Sequence, residues 1–316
     1  THTHTHTHTH THTNPTYQIV IGHNSNIAWG VTNTAVDVQD LYILKPHDKN
    51  PTKQYVFNNK PTDYIIKHEE LKVLHGESVF IDVRWSKMGP VITDNGVLDA
   101  LSPNNFHDAN VPVVEKRDKD LILSLKWVSI DPKVNDTTFM SFLKLNTAKN
   151  YSDFRQALTH YVAPAQNFIY ADNDGNFGYQ MPGKVPKRAK GHTGKLPVPG
   201  YDNNYTWQTM GNNDDDSSYI FMDFDLMPRT YNPSKGFIAS ANNRVTPDGF
   251  EKEGYLLTHD WDASLQGYRS KRITKLIKQL SGHGGGNSTK FMTTTKSMEK
   301  DNKMLKSSAL SSSSYV

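Results

Sequence analysis

The chain has 316 residues, no cysteine, and a formal net charge of +3. This length allows a sizeable hydrophobic core, the lack of cysteine excludes disulfide and thiolate chemistry, and the small net charge gives no electrostatic footprint for nucleic acid. No run approaches the roughly 18 consecutive apolar residues that a membrane-spanning helix requires, so no span is predicted.

The first thirteen residues alternate Thr and His, with His at every even position from 2 to 12. In an extended chain a period of two puts all these imidazoles on one side, where they would bind Zn or Ni loosely. A low-complexity disordered tail or a tag explains the repeat more simply. Thr1 is a candidate N-terminal nucleophile by position alone, since nothing in a repetitive polar tail would hold it in a pocket.

Residues 19–40 predict a hairpin followed by an acidic bend. A β-branched run at 19–21 meets the turn formers at 22–26, and residues 27–31 are apolar again. Asp37 and Asp40 follow, at a spacing that could place two carboxylates and a carbonyl around one hard cation. A solvated bend is the simpler interpretation of the same spacing.

Short antiparallel strands are predicted through the next part of the chain. Their apolar runs are separated by Asn, Asp, Gly and Pro at a spacing typical of antiparallel sheet, and they lie at 41–44, 64–68, 72–74, 79–84, 90–93 and 121–130.

Helices and a further hairpin are predicted after residue 130. Asp136 or Thr137 could cap a helix that runs through Leu145, and the i, i+3, i+4 spacing at 152–161 predicts a second helix that Pro164 stops. A hairpin is then predicted from residue 167 to residue 180, with its turn at 172–176.

The last predicted elements are a strand at 237–241 and a helix at 268–280. From residue 281 onward Ser, Thr, Lys and Gly dominate, and such a composition buries too little apolar area to offset chain entropy. The sequence therefore predicts a Thr-His tail at 1–13, a sheet-rich α+β domain at 14–280 and a disordered tail at 281–316.

Several short motifs follow one another in a fixed order along most of the chain. They are Gly22-His23-Asn24, Ala28 to Asn33, Asp37-x-x-Asp40, Pro164 to Asp172, Gly175 to Gly178, Gly191-His192, Lys195 to Gly200, Trp207, Tyr231-Asn232-Pro233, Gly236 to Ala239, Asn242-Asn243, and Arg269 with Ile273. In this order they resemble the penicillin acylase family of amide hydrolases, which also includes acyl-homoserine lactone and cephalosporin acylases.

The resemblance implies part of the αββα sandwich of N-terminal nucleophile hydrolases, in which a serine attacks the amide and its own α-amine is the base. By position it implies that the Asn33 main-chain N–H and the Asn242 side-chain amide are oxyanion donors. It also implies that Arg269 orients the surroundings of the nucleophile. Taken alone, Asn242 could belong to a strand-terminal turn, and Arg269 could be a helix-surface cation.

A structural calcium ion is also implied by the resemblance. Asp37 and Asp40 match carboxylate ligands of the family, and Gln39 and Gly194 match positions that offer a main-chain oxygen. Glu253 stands where the family can place another carboxylate, although the loop before it departs from the family pattern.

Other departures bear on activity. Only 21 residues precede Gly22, fewer than the family places between its nucleophile and this motif, so the chain is expected to lack the serine and to be inactive alone. Met88 stands where many relatives have His.

The expected partners are a small acyl amide substrate and a companion chain from the same precursor. The alternative is a non-catalytic remnant or binding protein that keeps the sheet and the cation site.

Four Asn-x-Ser/Thr sequons would permit glycosylation if the chain were secreted; they begin at Asn135, Asn150, Asn204 and Asn287. The compartment expected from the sequence is secreted, vesicular or periplasmic in type.

Overall fold

The computed structural model describes residues 19–34, 36–94, 121–211, 218–246, 255 and 267–281. The chain divides into two units, one within residues 1–262 and one within residues 263–316. The described residues form a sheet-rich α+β architecture, as predicted. No helix in these ranges is both long and apolar enough to cross a bilayer. The predicted tails at 1–13 and, beyond its first residue, at 281–316 lie outside the described residues.

The strands are numbered in chain order as β1 Gly22–His23, β2 Ile27–Asn33, β3 Gln39–Pro46, β4 Gln54–Phe57, β5 Lys60–Asp63, β6 Ile65–Leu71, β7 Val79–Ser86, β8 Gly89–Pro90, β9 Ile122–Trp127, β10 Gln166–Asp172, β11 Phe177–Gln180, β12 Val198–Pro199 and β13 Arg229–Tyr231. The helices are α1 Thr138–Leu145, α2 Tyr151–Leu158 and α3 Tyr268–Leu280, and single 3-10 turns lie at Asn203–Tyr205 and Phe224–Leu226.

The first sheet has the order β1-β2-β10-β11-β13, and all its neighbours are antiparallel. Its main apolar cluster joins Trp29 of β2 and Phe168 of β10 to Leu145 of α1 and Phe154 of α2. Helix α2 begins at Asn150, whose side chain accepts a hydrogen bond from the Asp153 N–H and so satisfies one of the free donors of the first turn. The two predicted helices are therefore packing elements of this sheet.

The second sheet has the order β12-β3-β4-β5, and β9 also pairs with β3. Strand β3 alternates buried and less buried residues, as a strand with one face on a core should, and it places Tyr42 and Leu44 in a cluster with Tyr55. Because β12 pairs in parallel with Tyr42 and Ile43, the chain that follows the first sheet returns to the middle of β3.

The third sheet has the order β6-β7-β8 and lies largely in solvent. All seven residues of β6 are exposed, and Phe80 of β7 keeps 76% of its surface in solvent. One close contact with the second sheet is made at Gly89, whose φ of 99° is in the region that favours glycine. Its Cα lies so close to Leu125 of β9 that a Cβ would overlap the Leu125 carbonyl oxygen.

The structure corrects several predicted segments. Residues 72–74 form a turn rather than a strand, closed by the Gly76 N–H on the Val73 carbonyl. Residues 237–241 are irregular rather than a strand, because the Asn243 side chain accepts the hydrogen bond of the Ala241 N–H in place of a neighbouring strand. The first strand of the hairpin lies at residues 22–23 rather than at 19–21, so its turn is shorter than predicted. The strand predicted at 90–93 is reduced to Gly89–Pro90.

Candidate active site

Two asparagine side chains bind the main chain at the end of β2. Asn242 Nδ2 donates to the Asn33 carbonyl at 3.0 Å, and Asn167 Nδ2 donates to the same oxygen at 3.2 Å. Asn242 has a φ of 60°, which asparagine tolerates better than most residues. The structure therefore brings together the two predicted oxyanion residues, although they are 209 positions apart in sequence.

Asn167 is fully buried and lies at the centre of a hydrogen-bonded network. Its Oδ1 accepts from the Tyr179 hydroxyl at 2.6 Å, and its Nδ2 also donates to Thr32 Oγ1 at 3.0 Å. Burial raises the pKa of Tyr179, which keeps its hydroxyl protonated as a donor. Thr32 Oγ1 in turn lies 2.6 Å from Ser240 Oγ, in the segment that carries Asn242. The network restrains the main chain around Asn33 from several directions.

Asp37 and Asp40 are buried, with 8% and 3% of their surface exposed, so the solvated-bend interpretation is wrong. Both contact the guanidinium of Arg188, which is itself fully buried. Arg188 Nε lies 2.8 Å from Asp40 Oδ2, and Nη2 lies 3.0 Å from Asp37 Oδ1. Arg188 also donates to the Asp37 main-chain carbonyl, and the Trp207 indole N–H donates to Asp40 at 2.5 Å. A buried cation thus pairs with both acids.

The pKa of Asp40 is set by opposing effects. Burial raises the pKa of this carboxyl, but the contact of His192, the charge of Arg188 and the Trp207 hydrogen bond together hold the pKa below its ordinary value. His192 Nε2 lies 3.3 Å from Asp40 Oδ1. Asp40 is therefore ionised at neutral pH in spite of its burial.

A cavity of about 640 Å³ lies beside these groups. Its lining includes one predicted oxyanion residue, Asn33, together with four predicted metal ligands, Asp37, Gln39, Asp40 and Gly194. Much of the remaining wall is apolar, with Ile92, Leu125, Trp127 and Leu196 among its members. The structure thus gathers most of the predicted site around one apolar-walled opening.

Three predicted site residues are not among the lining of this cavity. Asn242 is related to it through its hydrogen bond to the Asn33 carbonyl. Glu253 lies outside the described residues. Arg269 is an exposed residue in the first turn of α3, which belongs to the second unit of the chain. Its predicted role therefore stays a prediction.

The oxygen atoms at the cavity are of the chemical type that a hard cation takes as ligands. Carboxylate and main-chain oxygens are the ligands that calcium takes in proteins. Arg188 cancels one of the two carboxylate charges, so the pair keeps one formal negative charge for a further cation. Among the described residues, no group of three or more His, Cys, Asp or Glu side chains is arranged to hold a metal, so main-chain oxygens such as those of Gln39 and Gly194 would have to complete the set.

The sequence did not reveal two residues that organise the site. Arg188 lies in a segment rich in Pro, Gly, Lys and Arg that predicts only an irregular connector, and no local pattern marks its burial. Asn167 lies inside one of the motifs of the resemblance, but its spacing gives no hint of its three side-chain contacts. Only its position inside a buried strand, where a polar residue needs partners, could have indicated its role.

Comparison with known proteins finds the same family that the order of the motifs indicates. A sequence model of the penicillin amidase family matches residues 12–310. Thermostable penicillin G acylase from Alcaligenes faecalis has a similar fold, with a TM-score of 0.56 and 23% identity over 78% of this chain and 38% of that one.

Two curated relatives are similar over most of this chain. Acyl-homoserine lactone acylase QuiP of Pseudomonas fluorescens is 28% identical over 83% of the chain, and penicillin G acylase of Escherichia coli is 27% identical over 73% of it. The matched parts span only 28% and 23% of the length of these relatives. Because the family model covers nearly the whole sequence, the chain belongs to the penicillin amidase family.

Proposed function

We propose that this chain forms part of an amide hydrolase that removes an acyl group from an amine. Its family and the names of its relatives, which are acylases, support this class of reaction. The apolar wall of the cavity beside Asn33 supports an acyl group as the part of the substrate that is bound. Because the chain spans about a quarter of the length of these relatives, the activity is proposed for a longer protein that contains it.

The observation that carries the proposal is the contact of the Asn242 amide with the Asn33 carbonyl. Attack on an amide carbonyl places negative charge on its oxygen, and the donors that receive this charge must be fixed beforehand. The Asn33 main-chain N–H and the Asn242 side-chain amide are the proposed donors. Their fixed positions follow from the Asn167 network and from the Asn242 contact itself.

The proposed nucleophile is an N-terminal serine supplied by sequence beyond these 316 residues. Its oxygen forms the new bond to the acyl carbon while its α-amine takes the hydroxyl proton. The proton then passes to the leaving nitrogen as the C–N bond breaks, which leaves an acyl-serine for water to hydrolyse. Arg269 is proposed to orient the surroundings of this serine, and a companion chain from the same precursor is proposed as a partner.

A calcium ion is proposed as a structural element of the site. The carboxylates of Asp37 and Asp40 and the main-chain oxygens of Gln39 and Gly194 would hold it, with Glu253 as a further carboxylate. The ion would add positive charge beside the acidic pair and join the start of β3 to the segment around Gly194.

A non-catalytic binding protein is the second candidate. The buried ion pair of Arg188 with Asp37 and Asp40 favours this candidate, because such a pair can maintain the shape of the cavity without a catalytic step.

The test compares this chain with the same chain preceded by its upstream coding sequence, using chromogenic phenylacetyl and fatty-acyl amides. We expect no turnover by the 316 residues alone, and turnover by an extended form that carries an N-terminal serine. In the extended form, Asn242→Ala should lower kcat by about 10²- to 10³-fold, the typical effect of removing one oxyanion donor. Asn204→Ala, at an exposed asparagine outside the cavity lining, is the matched control.

Two results would count against the proposal. Turnover by the 316 residues that disappears when Thr1 is removed would place the nucleophile inside this chain. An extended form with a serine but no turnover of either amide would favour the binding protein instead.

A further inference from the structure

A second site is suggested by a cavity that shares no lining residue with the one beside Asn33. It has a volume of about 380 Å³, within the range of roughly 300–1,000 Å³ typical of ligand pockets. Four lysines line it, namely Lys60, Lys87, Lys126 and Lys133, and no acidic side chain is among its described lining residues. Such a concentration of one sign of charge in a concave site favours an anionic ligand.

Aromatic rings in the cavity wall hold three of these ammonium groups in place. Lys87 Nζ lies 5.0 Å from the centroid of the Phe57 ring, and both Lys126 and Lys133 lie over Tyr219, at 4.6 Å and 5.6 Å. Each contact lies within the distance at which a ring attracts a cation. These contacts favour side-chain positions that keep the positive charges at the cavity.

Lys126 is the buried lysine among the lining residues. Its side chain is 2% exposed, and its ammonium donates to Asp131 at 2.8 Å and to the Tyr219 hydroxyl at 2.7 Å. Asp131 therefore compensates the charge of Lys126, and the four lysines together with Asp131 carry a net charge of +3. Burial lowers the pKa of Lys126, and the nearby charge of Lys133 lowers it further, whereas Asp131 raises it. An anion between these lysines would relieve the repulsion between them.

Polar groups suited to an oxyanion complete the wall. Asn58, Asn203 and Thr206 are among the lining residues, and the Thr206 hydroxyl donates to the Asn203 carbonyl at 3.0 Å. The Asn203 N–H donates to Asn58 Oδ1 at 3.0 Å, which fixes the Asn58 amide in the wall. A doubly charged tetrahedral anion matches several ammonium groups and amide donors better than a single carboxylate does, because it offers more acceptor oxygens and more charge.

We propose that this cavity binds the phosphate group of a small molecule, with Lys87 and Lys133 as the main contacts. Lys126, whose ammonium donates to Asp131, to the Tyr219 hydroxyl and to the Lys87 carbonyl, adds buried positive charge beside them. The exposed Lys60 adds charge at the rim, and the Phe57 ring provides an apolar surface for the part of the molecule that carries the phosphate. Neither the family nor the proposed amide hydrolysis requires such a ligand, so this site is independent of the proposed function.

Isothermal titration calorimetry of the full chain with inorganic phosphate and with phenyl phosphate tests the proposal, with sodium chloride at matched ionic strength as the reference. The variant Lys87→Gln/Lys133→Gln removes two of the proposed contacts. Each is expected to contribute about threefold in affinity, as a partly exposed ion pair does, so the double variant should bind about tenfold more weakly. Lys49→Gln/Lys53→Gln removes the same charge from two exposed lysines outside the cavity and is the matched control.

The expected result is saturable binding that the control variant keeps and that is about tenfold weaker in the cavity variant. Binding of both probes would assign the phosphate group as the ligand, and preference for phenyl phosphate would assign a phosphomonoester. Equal losses in the two double variants would show a general charge effect and overturn the site, as would the absence of binding by either probe. Circular dichroism of the cavity variant shows whether it keeps the fold, and a second variant, Lys133→Gln alone, tests the same contact with a smaller change.

Discussion

Arg188 is the buried cation that contacts both acids of the pair. It is fully buried, and it contacts both carboxylates as well as the main chain of Asp37. Removing one partner of a buried ion pair leaves the other charges without compensation, and this costs far more than the net stabilisation that the intact pair provides. The stability of the cavity therefore depends on a residue that the proposed chemistry does not use.

The variant Arg188→Met tests this dependence. We expect the free energy of unfolding to fall by about 3–5 kcal/mol, because Asp37 and Asp40 stay buried without their cation. Urea denaturation followed by tryptophan fluorescence measures the change. Arg229→Met, which removes an arginine from an exposed pair with Asp225, should leave stability nearly unchanged, since solvent screens that pair. Equal effects of the two substitutions would contradict the buried pair.

The lowered pKa of Asp40 predicts the pH dependence of stability. The folded state holds the pKa of this carboxyl below that of the unfolded chain, which is about 3.9. The stabilisation is therefore complete above about pH 3.9 and is lost as the pH falls below it toward the folded pKa. Urea denaturation between pH 7 and pH 2 should show this loss. The Asp40→Asn variant should be less stable at neutral pH and should lose less stability in acid; an unchanged acid slope would contradict the assignment.

At the scale of elements, the contact between β8 and β9 depends on the absence of a side chain at Gly89. A Cβ there would overlap the Leu125 carbonyl, and the φ of 99° is strained for any other residue. We expect Gly89→Ala to cost about 3 kcal/mol, from the backbone strain and the overlap together. Thermal unfolding measures the change. Gly30→Ala in β2, where a Cβ meets no atom within 4 Å, should cost much less, and equal costs would contradict the explanation.

Elements with a strong local signal could be predicted from the sequence. Helix α3 has the predicted bounds, because the period of Ile273, Leu276 and Ile277 is helical over its whole length. The hairpin of β10 and β11 was also predicted, since its turn is rich in Asn, Asp and Gly. Strand β13 was missed because it has only three residues, and it pairs through contacts with β11 that no local pattern encodes.

At the scale of the whole molecule, calcium binding should raise the stability of the folded chain. A ligand that binds only the folded state raises its stability, by about 2.7 kcal/mol at a hundred times its dissociation constant. We expect calcium, compared with a chelator, to raise the Tm of the chain in scanning calorimetry. Asp37→Asn should abolish the rise, and Asp48→Asn, at an exposed acid in a turn, should keep it. A Tm that does not respond to calcium would contradict the proposed ion.

The site could be predicted only in part because its contacts join residues that are far apart in the sequence. The order of the motifs predicts Asn33 and Asn242 as oxyanion residues, and the structure joins them by a hydrogen bond. The role of Arg188 depends on the return of its segment to β3, which is a property of the tertiary fold rather than of local spacing. The same limit explains why an acidic bend that looks solvated in the sequence is buried in the protein.

The separation between Asp40 and Arg188 also has a consequence for synthesis on the ribosome. The two residues are 148 positions apart. At about 5–20 residues per second, Arg188 is made roughly 7–30 s after Asp40. Until then the two carboxylates have no buried cation, and burying them would be costly, so we expect the start of β3 to stay hydrated on the nascent chain. The acidic pair should therefore delay closure of the cavity until the segment that lines its opposite side has been translated.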